Sequence, residues 1–367
     1  MTTSAQVTCI TPGLPPAIDG VGDYALNVAR QLRQDFSIET HFIVGNPSWA
    51  GTKEIDRFGI GQVSERSVDR LWSLLDSNSQ KTATILLHYV GYGYAKRGCP
   101  FWLVNALEKW RKVNNNGSLV TMFHELYATG PIWASSFWLS PVQKNLAVRL
   151  ARLSDRCLTS HQGYAQIIHE LSSGKHSQIP AIPVFSNIGE PKQVPPLAHR
   201  PRSLVVFGSS SNRLRVYQRS LSNLVLTCQQ LEIEEIWDVG PPTGLDLSKI
   251  DGIPVVVMGK KTAAEISAIL LNSVAGFFDY HTQYLAKSGV FAAYSAHGTI
   301  PIGIFYNALQ MDGLEAGKHY WLADRPTARL SLEVGQAIAD NAYTWYQSHN
   351  LSVQAKTFAT QLLSQNN

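Results

Sequence analysis

Short apolar runs alternate with helix-length stretches along this chain, and few folds accommodate that pattern. QVTCI (6–10), THFIV (40–44), ATILLHYV (83–90), SLVTMFH (118–124) and RCLTS (156–160) read as strands. Helical stretches separate them, over about Asp23–Arg33, Phe101–Lys112 and Val142–Leu153. A second series follows: SLVVFG (203–208), EIWDVG (235–240), PVVVMG (254–259), VAGFFDY (274–280) and TIPIGIF (299–305). Its helices are expected over Leu214–Leu231, Ala263–Leu271 and Ser288–Ala296. Strand and helix in strict alternation predict parallel sheets covered by helices. The fold class is therefore α/β, with two doubly wound Rossmann-like domains facing a cleft.

Length supports two domains, because a single core rarely grows past about 250–300 residues and the chain has 367. EPKQVPPLAHRPRS (190–203) holds four prolines and no regular pattern, and reads as a linker. The expected division is residues 1–190, a linker at 191–203, a second domain at 204–330, and terminal helices at 331–367 packing back toward the first domain. No internal repeat or low-complexity tract interrupts it.

Composition narrows the function. Apolar residues make up 44%, which excludes a disordered chain. Charged residues are 16%, against roughly 25% in an average soluble chain. The net charge of +4 suits a phosphorylated ligand or an anionic membrane surface. No dense basic run appears, which argues against nucleic acid. No apolar run is long enough to span a membrane, and MTTSAQVTCITPG lacks the layout of a signal peptide. Cys9, Cys99, Cys157 and Cys228 are far apart, so zinc knuckles and thioredoxin-like sites are disfavoured. A reducing, cytoplasmic compartment is the simplest expectation.

Chemistry is expected at strand ends. In PGLPPAIDGVGDY (12–24), Gly20, Val21 and Gly22 let backbone N–H groups approach an anion at a helix start, and Asp23 is the expected cap. The spacing is not that of a dinucleotide-binding fingerprint. His88, His124 and Glu125 stand at the ends of two further strands and offer hydroxyl contacts or acid–base chemistry. His161 has a weaker claim. In FGSSSNRLRVYQ (207–218), Arg213 and Arg215 form a candidate pyrophosphate site. In YHTQYLAKSGVFAAYSAHGTIPI (280–302), Lys287 precedes Ser288, an expected helix cap, and Gly289. PIWASSFWLSPVQKNLAVRLARLSDR (131–156) joins bulky apolar residues to basic ones, a pattern compatible with a membrane interface or with buried packing.

The order of these motifs resembles the GT-B-fold glycosyltransferases, specifically the retaining, nucleotide-sugar-dependent "group 1" type. The likeness runs over residues 6–305, through ITPGLPPAIDGVGDYALNVARQL (10–32), His124-Glu125, TSHQGYAQII (159–168), IPVFSNIG (182–189), Gly208 with Arg213 and Arg215, and SAHGTIPI (295–302). It implies transfer of a sugar from a nucleotide-diphosphate sugar to an acceptor hydroxyl with retention. It departs at one point: the family's two glutamates fall at Leu285 and Ala293. In relatives, one of those glutamates binds the ribose and the other contacts the donor sugar.

On this resemblance His124 and Glu125 are the expected catalytic pair. Arg213, Arg215, Lys287, Ser288 and Gly289 hold the donor diphosphate, and the segment Gly20, Val21, Gly22, Asp23 serves the acceptor or a phosphate. His88, Gln283 and Tyr284 are expected sugar contacts. With fixed cations and no Asp-x-Asp pair, no metal and no cofactor beyond the donor are expected. The acceptor is expected to be a carbohydrate or lipid-linked, with peripheral membrane contact as an option and no nucleic acid. The alternative is a non-catalytic sugar-nucleotide-binding or scaffold protein on the same frame. A sugar-nucleotide epimerase is a third reading.

Overall fold

The computed structural model describes residues 5–17, 19–79, 84–129, 135–306, 311–324 and 329–364. Ile18, Ala83 and Trp133, which belong to segments singled out in the sequence, lie outside the described residues. The chain divides into two compact units: Met1–Ile182 with Leu351–Asn367, and Pro183–Asn350.

In the first unit β1 (Gln6–Thr11) leads through α1 (Gly20–Phe36) to β2 (Glu39–Val44) and a hairpin of β3 (Glu54–Ile55) and β4 (Phe58–Gln62). There follow α2 (Val68–Ser79), β5 (Thr84–Tyr89), α3 (Gly91–Tyr94), α4 (Phe101–Val113), β6 (Ser118–Phe123), α5 (Ser135–Leu153), β7 (Arg156–Thr159) and α6 (Gln162–Leu171). The strand order is β3-β4-β2-β1-β5-β6-β7, with only β3–β4 antiparallel among the named pairs. Residues Val7–Thr11 of β1 are all buried, as a central strand covered on both faces requires.

The second unit runs β8 (Ser203–Phe207), α7 (Ser210–Arg219), α8 (Leu221–Leu231), β9 (Glu235–Val239), β10 (Lys249–Ile250), β11 (Ile253–Gly259) and α9 (Ala263–Leu271). It ends with β12 (Ala275–Phe277), α10 (Gly289–Ala296), β13 (Ile300–Gly303), β14 (Trp321–Leu322) and α11 (Leu332–Gln347). Its order, β10-β11-β9-β8-β12-β13-β14, repeats that of the first unit strand for strand. So β8 corresponds to β1 and β12 to β5. The last helix, α12 (Leu351–Leu363), belongs to the first unit and packs on α1.

Several expectations change. The proline-rich 190–203 stretch is not a linker between the units, because the chain crosses earlier, at Ile182–Pro183. That stretch is built into the second unit. Buried Arg200 donates to the carbonyls of Pro195, Leu270, Ser273 and His297, and Leu197 N–H donates to Gln336 Oε1 at 2.8 Å. The single helix expected over Leu214–Leu231 is two helices, broken at Ser220. Helix α5, expected over Val142–Leu153, runs over Ser135–Leu153 and carries Pro141 inside it. The β3–β4 hairpin escapes sequence reading because its turn has no glycine. Asp56 and Arg57 take φ of 51° and 64°, a conformation that glycine or asparagine normally supplies. Arg30 pairs with the Asp56 carboxylate, and the Arg33 guanidinium lies 3.5 Å from the Phe58 ring centroid, so α1 holds the turn in place.

Candidate functional site

In the second unit β8 and β12 lie side by side, but β8 connects onward to one side of the sheet and β12 to the other. The crevice beyond the carboxyl ends of two such strands is where open α/β sheets hold ligands. Pairing between them ends at Val205 and Gly276. Tyr294 of α10, fully buried, fills the gap. Its hydroxyl accepts from Phe207 N–H at 3.3 Å and lies 3.2 Å from Val205 O and 3.4 Å from Phe277 O. The ring lies flat against Gly276, where a Cβ would stand 2.5 Å from ring atoms.

Two helices begin at this crevice. Ser209 caps α7, its Oγ accepting from Asn212 N–H at 3.3 Å. Ser288 caps α10 as expected, its Oγ accepting from Phe291 N–H at 3.2 Å. Gly208 has φ of 130°, and a Cβ on it would lie 3.3 Å from Val290 Cγ2, so the two helix starts nearly touch. A small recess between them is lined by Phe207, Asn212, Arg213, Asp279, Ser288 and Val290, among others. Free N–H groups and the positive ends of two helix dipoles make this a place for negative charge.

The cations divide into two kinds. Arg213 requires a correction. Its side chain is 1% exposed and donates to Asp238 Oδ2, to Pro241 O, and to Gly208 O at 3.1 Å. Asp238 also accepts from Tyr217 at 2.6 Å. Arg213 therefore ties the end of β8 to the end of β9 from beneath and is not a free diphosphate ligand. Arg215 is only partly buried. It donates to Asn212 Oδ1 at 2.6 Å, and its Nε has no hydrogen-bond partner among the described residues. Arg215 and Arg219 are near enough to Tyr306 to favour its ionised form. Burial and the Asp279 carboxylate outweigh them and push the phenol up to about 12. Lys287, also partly buried, holds its Nζ 5.5 Å from the Tyr284 ring centroid. Gly289 is exposed, and apart from its own helix turn no atom of the described residues lies within 4 Å of where its Cβ would be, so packing does not explain the glycine. Gln283 and Tyr284 sit, partly buried, in the 3-10 turn Thr282–Lys287 just before that helix. Leu285 and Ala293 are buried in the apolar core of this unit.

The equivalent gap in the first unit lies between β1 and β5. Tyr94 fills it, its hydroxyl 3.2 Å from Ile10 O and 2.9 Å from His88 O. What borders this gap differs. His88, 0% exposed, has its Nδ1 3.0 Å from His124 Nε2. The two rings stack at 5.3 Å, Phe358 of α12 stacks on His88 at 6.1 Å, and Tyr24 presents its edge to both histidines. Burial lowers the His88 pKa to about 3, so the ring is neutral. His88 is thus a buried support for His124 and not a sugar contact. The returning helix α12 covers it, and nothing near His88 in the sequence announces that helix. His124 is also largely buried, while Glu125 beside it is exposed.

The start of α1 is likewise revised. Asp19, not Asp23, caps the helix, accepting from Val21 N–H at 3.0 Å, and Gly20, Val21 and Gly22 form the first turn. Gly22 is needed for packing, since its Cβ would stand 2.3 Å from Gly13 O. Asp23 is pushed up to about 6 by burial and then by Asp19, with Arg30 opposing. Two carboxylates at this helix start make it a poor phosphate site and a reasonable one for hydroxyl groups.

No protein-family model matches the chain, and no curated protein matches it in sequence. Solved structures match throughout. The lipopolysaccharide outer core galactosyltransferase WaaB aligns with a TM-score of 0.59 at 13% identity, over 98% of this chain and 100% of its own. The pneumococcal O-GlcNAc transferase GtfA, in complex with UDP and GlcNAc, gives 0.60 at 8% identity, over 98% and 99%. An α-glucosyltransferase in complex with UDP and a 13-mer DNA gives 0.58 at 10% identity, over 98% and 99%. The chain has the GT-B fold. The DNA in that last neighbour means that the fold lends no weight to the expectation that nucleic acid is not a partner. Among the described residues, no helix is long and apolar enough to cross a membrane.

Within the GT-B frame, sequence reading missed Asp279, Tyr294, Tyr306 and Ser220. Asp279 left a signal: a lone carboxylate in VAGFFDYH, where an apolar strand ends. Tyr294 left none, because it reads as one more apolar residue of its helix.

Proposed function

We propose that this protein transfers a sugar from a nucleotide-diphosphate sugar to an acceptor hydroxyl, with retention and without a divalent metal. The observation that carries the reading is the meeting of two serine-capped helix starts, with Arg215 and Lys287 nearby, at the β8/β12 crevice. When the bond to the anomeric carbon breaks, negative charge grows on the leaving diphosphate. Fixed N–H groups and cations aimed at that charge lower the barrier without reorganising. Arg215, Lys287, Ser288 and the open backbone at Gly289 supply them, while Arg213 holds the Gly208 turn beneath. The attacking hydroxyl enters from the same face of the sugar in a retaining reaction. In the first unit His124, propped by His88, and the exposed Glu125 are the proposed sugar contacts, with Gly20–Asp23 on the acceptor. Gln283 and Tyr284 are further sugar contacts in the second. On α5, Phe137 and Trp138 form an exposed ring pair, Trp138 being 71% exposed, which supports a lipid-linked or membrane-bound acceptor.

A second reading, a sugar-nucleotide binder without catalysis, is favoured by one observation. The buried Leu285 and Ala293 leave no carboxylate where relatives of this type carry glutamates. Calorimetry with UDP separates binding from chemistry. A charge-assisted contact contributes about 1.5–3 kcal/mol, so Lys287→Ala and Arg215→Ala should each weaken UDP by about tenfold or more. Unchanged affinity in both variants removes the diphosphate assignment. NMR of products from UDP-sugars and an acceptor extract, in EDTA, tests the rest. Retained anomeric configuration supports the transferase, an inverted centre refutes retention, and activity that requires added Mg²⁺ refutes metal independence. Binding without transfer, hydrolysis or epimerisation establishes the binder.

A further inference from the structure

Asp279 is a buried carboxylate at a place otherwise built for anions. It lines the recess between the two helix starts and is 3% exposed. Its partners are two neutral hydroxyls: Ser220 donates to Oδ2 at 2.8 Å, and Tyr306 donates to Oδ1. Among the described residues no lysine or arginine pairs with it within salt-bridge distance. Tyr306 is held in turn by the His281 ring at 4.0 Å, with the Arg219 guanidinium 6.0 Å from its centroid. A buried carboxylate without a cation is costly unless hydrogen bonds satisfy it. Each carboxylate has about four lone-pair sites, and two are used here.

We propose that Asp279 accepts a hydrogen bond from a sugar hydroxyl of the phosphate-bearing ligand, and so selects ligands that carry both groups. A cation in that place would be opposed by the helix starts and by Arg215. A bare phosphate would be opposed by Asp279 itself. A neutral O–H donor on the same molecule as the phosphate satisfies every group present. Ser220 and Tyr306 are positioning residues that aim the two carboxylate oxygens. The inference rests on the nucleotide-sugar reading above and adds the residue that reads its hydroxyls. The hydroxyl is either the ribose's or the transferred sugar's.

The test compares wild type with Asp279→Asn by calorimetry against inorganic pyrophosphate, UDP and UDP-glucose. Electrostatics alone predicts that losing this negative charge tightens all three. Hydroxyl reading predicts opposite signs: pyrophosphate unchanged or tighter, and hydroxyl-bearing ligands at least tenfold weaker. Weakening of UDP and UDP-glucose alike assigns the ribose, and weakening of UDP-glucose alone assigns the transferred sugar. Unchanged or tighter binding of both overturns the proposal. If the wild type binds pyrophosphate but neither UDP nor UDP-glucose, the nucleotide-sugar reading fails first, and this inference with it. Thermal unfolding checks that the variant is folded. Should it not be, Ser220→Ala and Tyr306→Phe carry the test, with a severalfold loss for UDP-glucose and none for pyrophosphate. No loss in either then overturns it.

Discussion

The two units solve the same structural problem with the same device and put different chemistry on top of it. In each, two central strands part company, and a buried tyrosine hydroxyl sits among the carbonyls they leave behind: Tyr94 in the first unit, Tyr294 in the second. Each ring also excludes a Cβ from a neighbouring glycine, Gly45 and Gly276. Above the first gap stand two stacked histidines, of which buried His88 is neutral, and a helix start bearing Asp19 and Asp23. Beside the second stand serine-capped helix starts and partly buried cations. Shared topology therefore opens a crevice at the same place in each unit. The few residues at the caps decide the charge there.

This contrast can be broken at several points. The largest effect is expected from Arg213→Met. Unlike the stacked rings of the first unit, the second unit's mouth rests on a buried ion pair. Removing one partner strands Asp238, and such losses cost about 3–5 kcal/mol. Urea denaturation should show it, and a loss under about 1 kcal/mol would mean that the pair does not hold these loops.

Next comes the acid limb of stability. The unfolded chain protonates His88 near its ordinary pKa of 6.5, whereas the folded chain resists until about 3. The folded state thus binds fewer protons between those values, and stability falls as pH drops from 6.5 toward 3. Each unit of pH costs up to about 1.4 kcal/mol from this group. In His88→Leu the limb should become shallower between pH 6.5 and 4, and an unchanged slope would remove His88 from the account. His297 and His349, lowered to about 4 and about 3 by burial, keep part of the slope in place.

The tyrosine pair gives a sharper comparison with a smaller effect. Tyr94→Phe and Tyr294→Phe should each cost about 1 kcal/mol. Only Tyr294→Phe should also weaken UDP, because only that hydroxyl accepts from the backbone N–H just before the Gly208 turn. Equal behaviour toward UDP in calorimetry would contradict the division of labour.

The smallest effect is a gain. Asp23 binds its proton more tightly folded than unfolded, so its contribution to stability falls as pH rises from about 4 to 6. Asp23→Asn should therefore raise stability by about 1 kcal/mol at pH 7 to 8, allowing for partial exposure, and by nothing near pH 4. Thermal unfolding at the two pH values decides it.

Most of the scaffold was legible in the sequence, because buried parallel strands must be apolar along their whole length. QVTCI, SLVTMF and SLVVF declare themselves without help from the rest of the chain. Local hydrogen bonding was legible too: Ser288 caps α10, and its serine stands directly before the helix. Ser209 shows the same chemistry three residues before Asn212, yet the apolar pattern starts that helix only at Leu214, because polar SSSN hides a first turn among loop-like residues.

What the sequence determined by itself was the class of sheet, its approximate strands and the two polar loops of the second unit, since these depend on neighbours in the chain. Only the tertiary structure decided what those loops do. Arg213 and Arg215 are two positions apart and look equivalent, but two helix positions differ by about 200° around the axis, which sends one to Asp238 and leaves the other partly open. His88 looks as available as His124 until α12, more than 260 residues further on, lays Phe358 against it. Tyr294, Asp279 and Tyr306 acquire their roles from partners up to 89 residues away. Patterning records burial and local caps, which are one-body and short-range. The pairing of a buried charge or hydroxyl is a two-body fact, and folding alone supplies the second body.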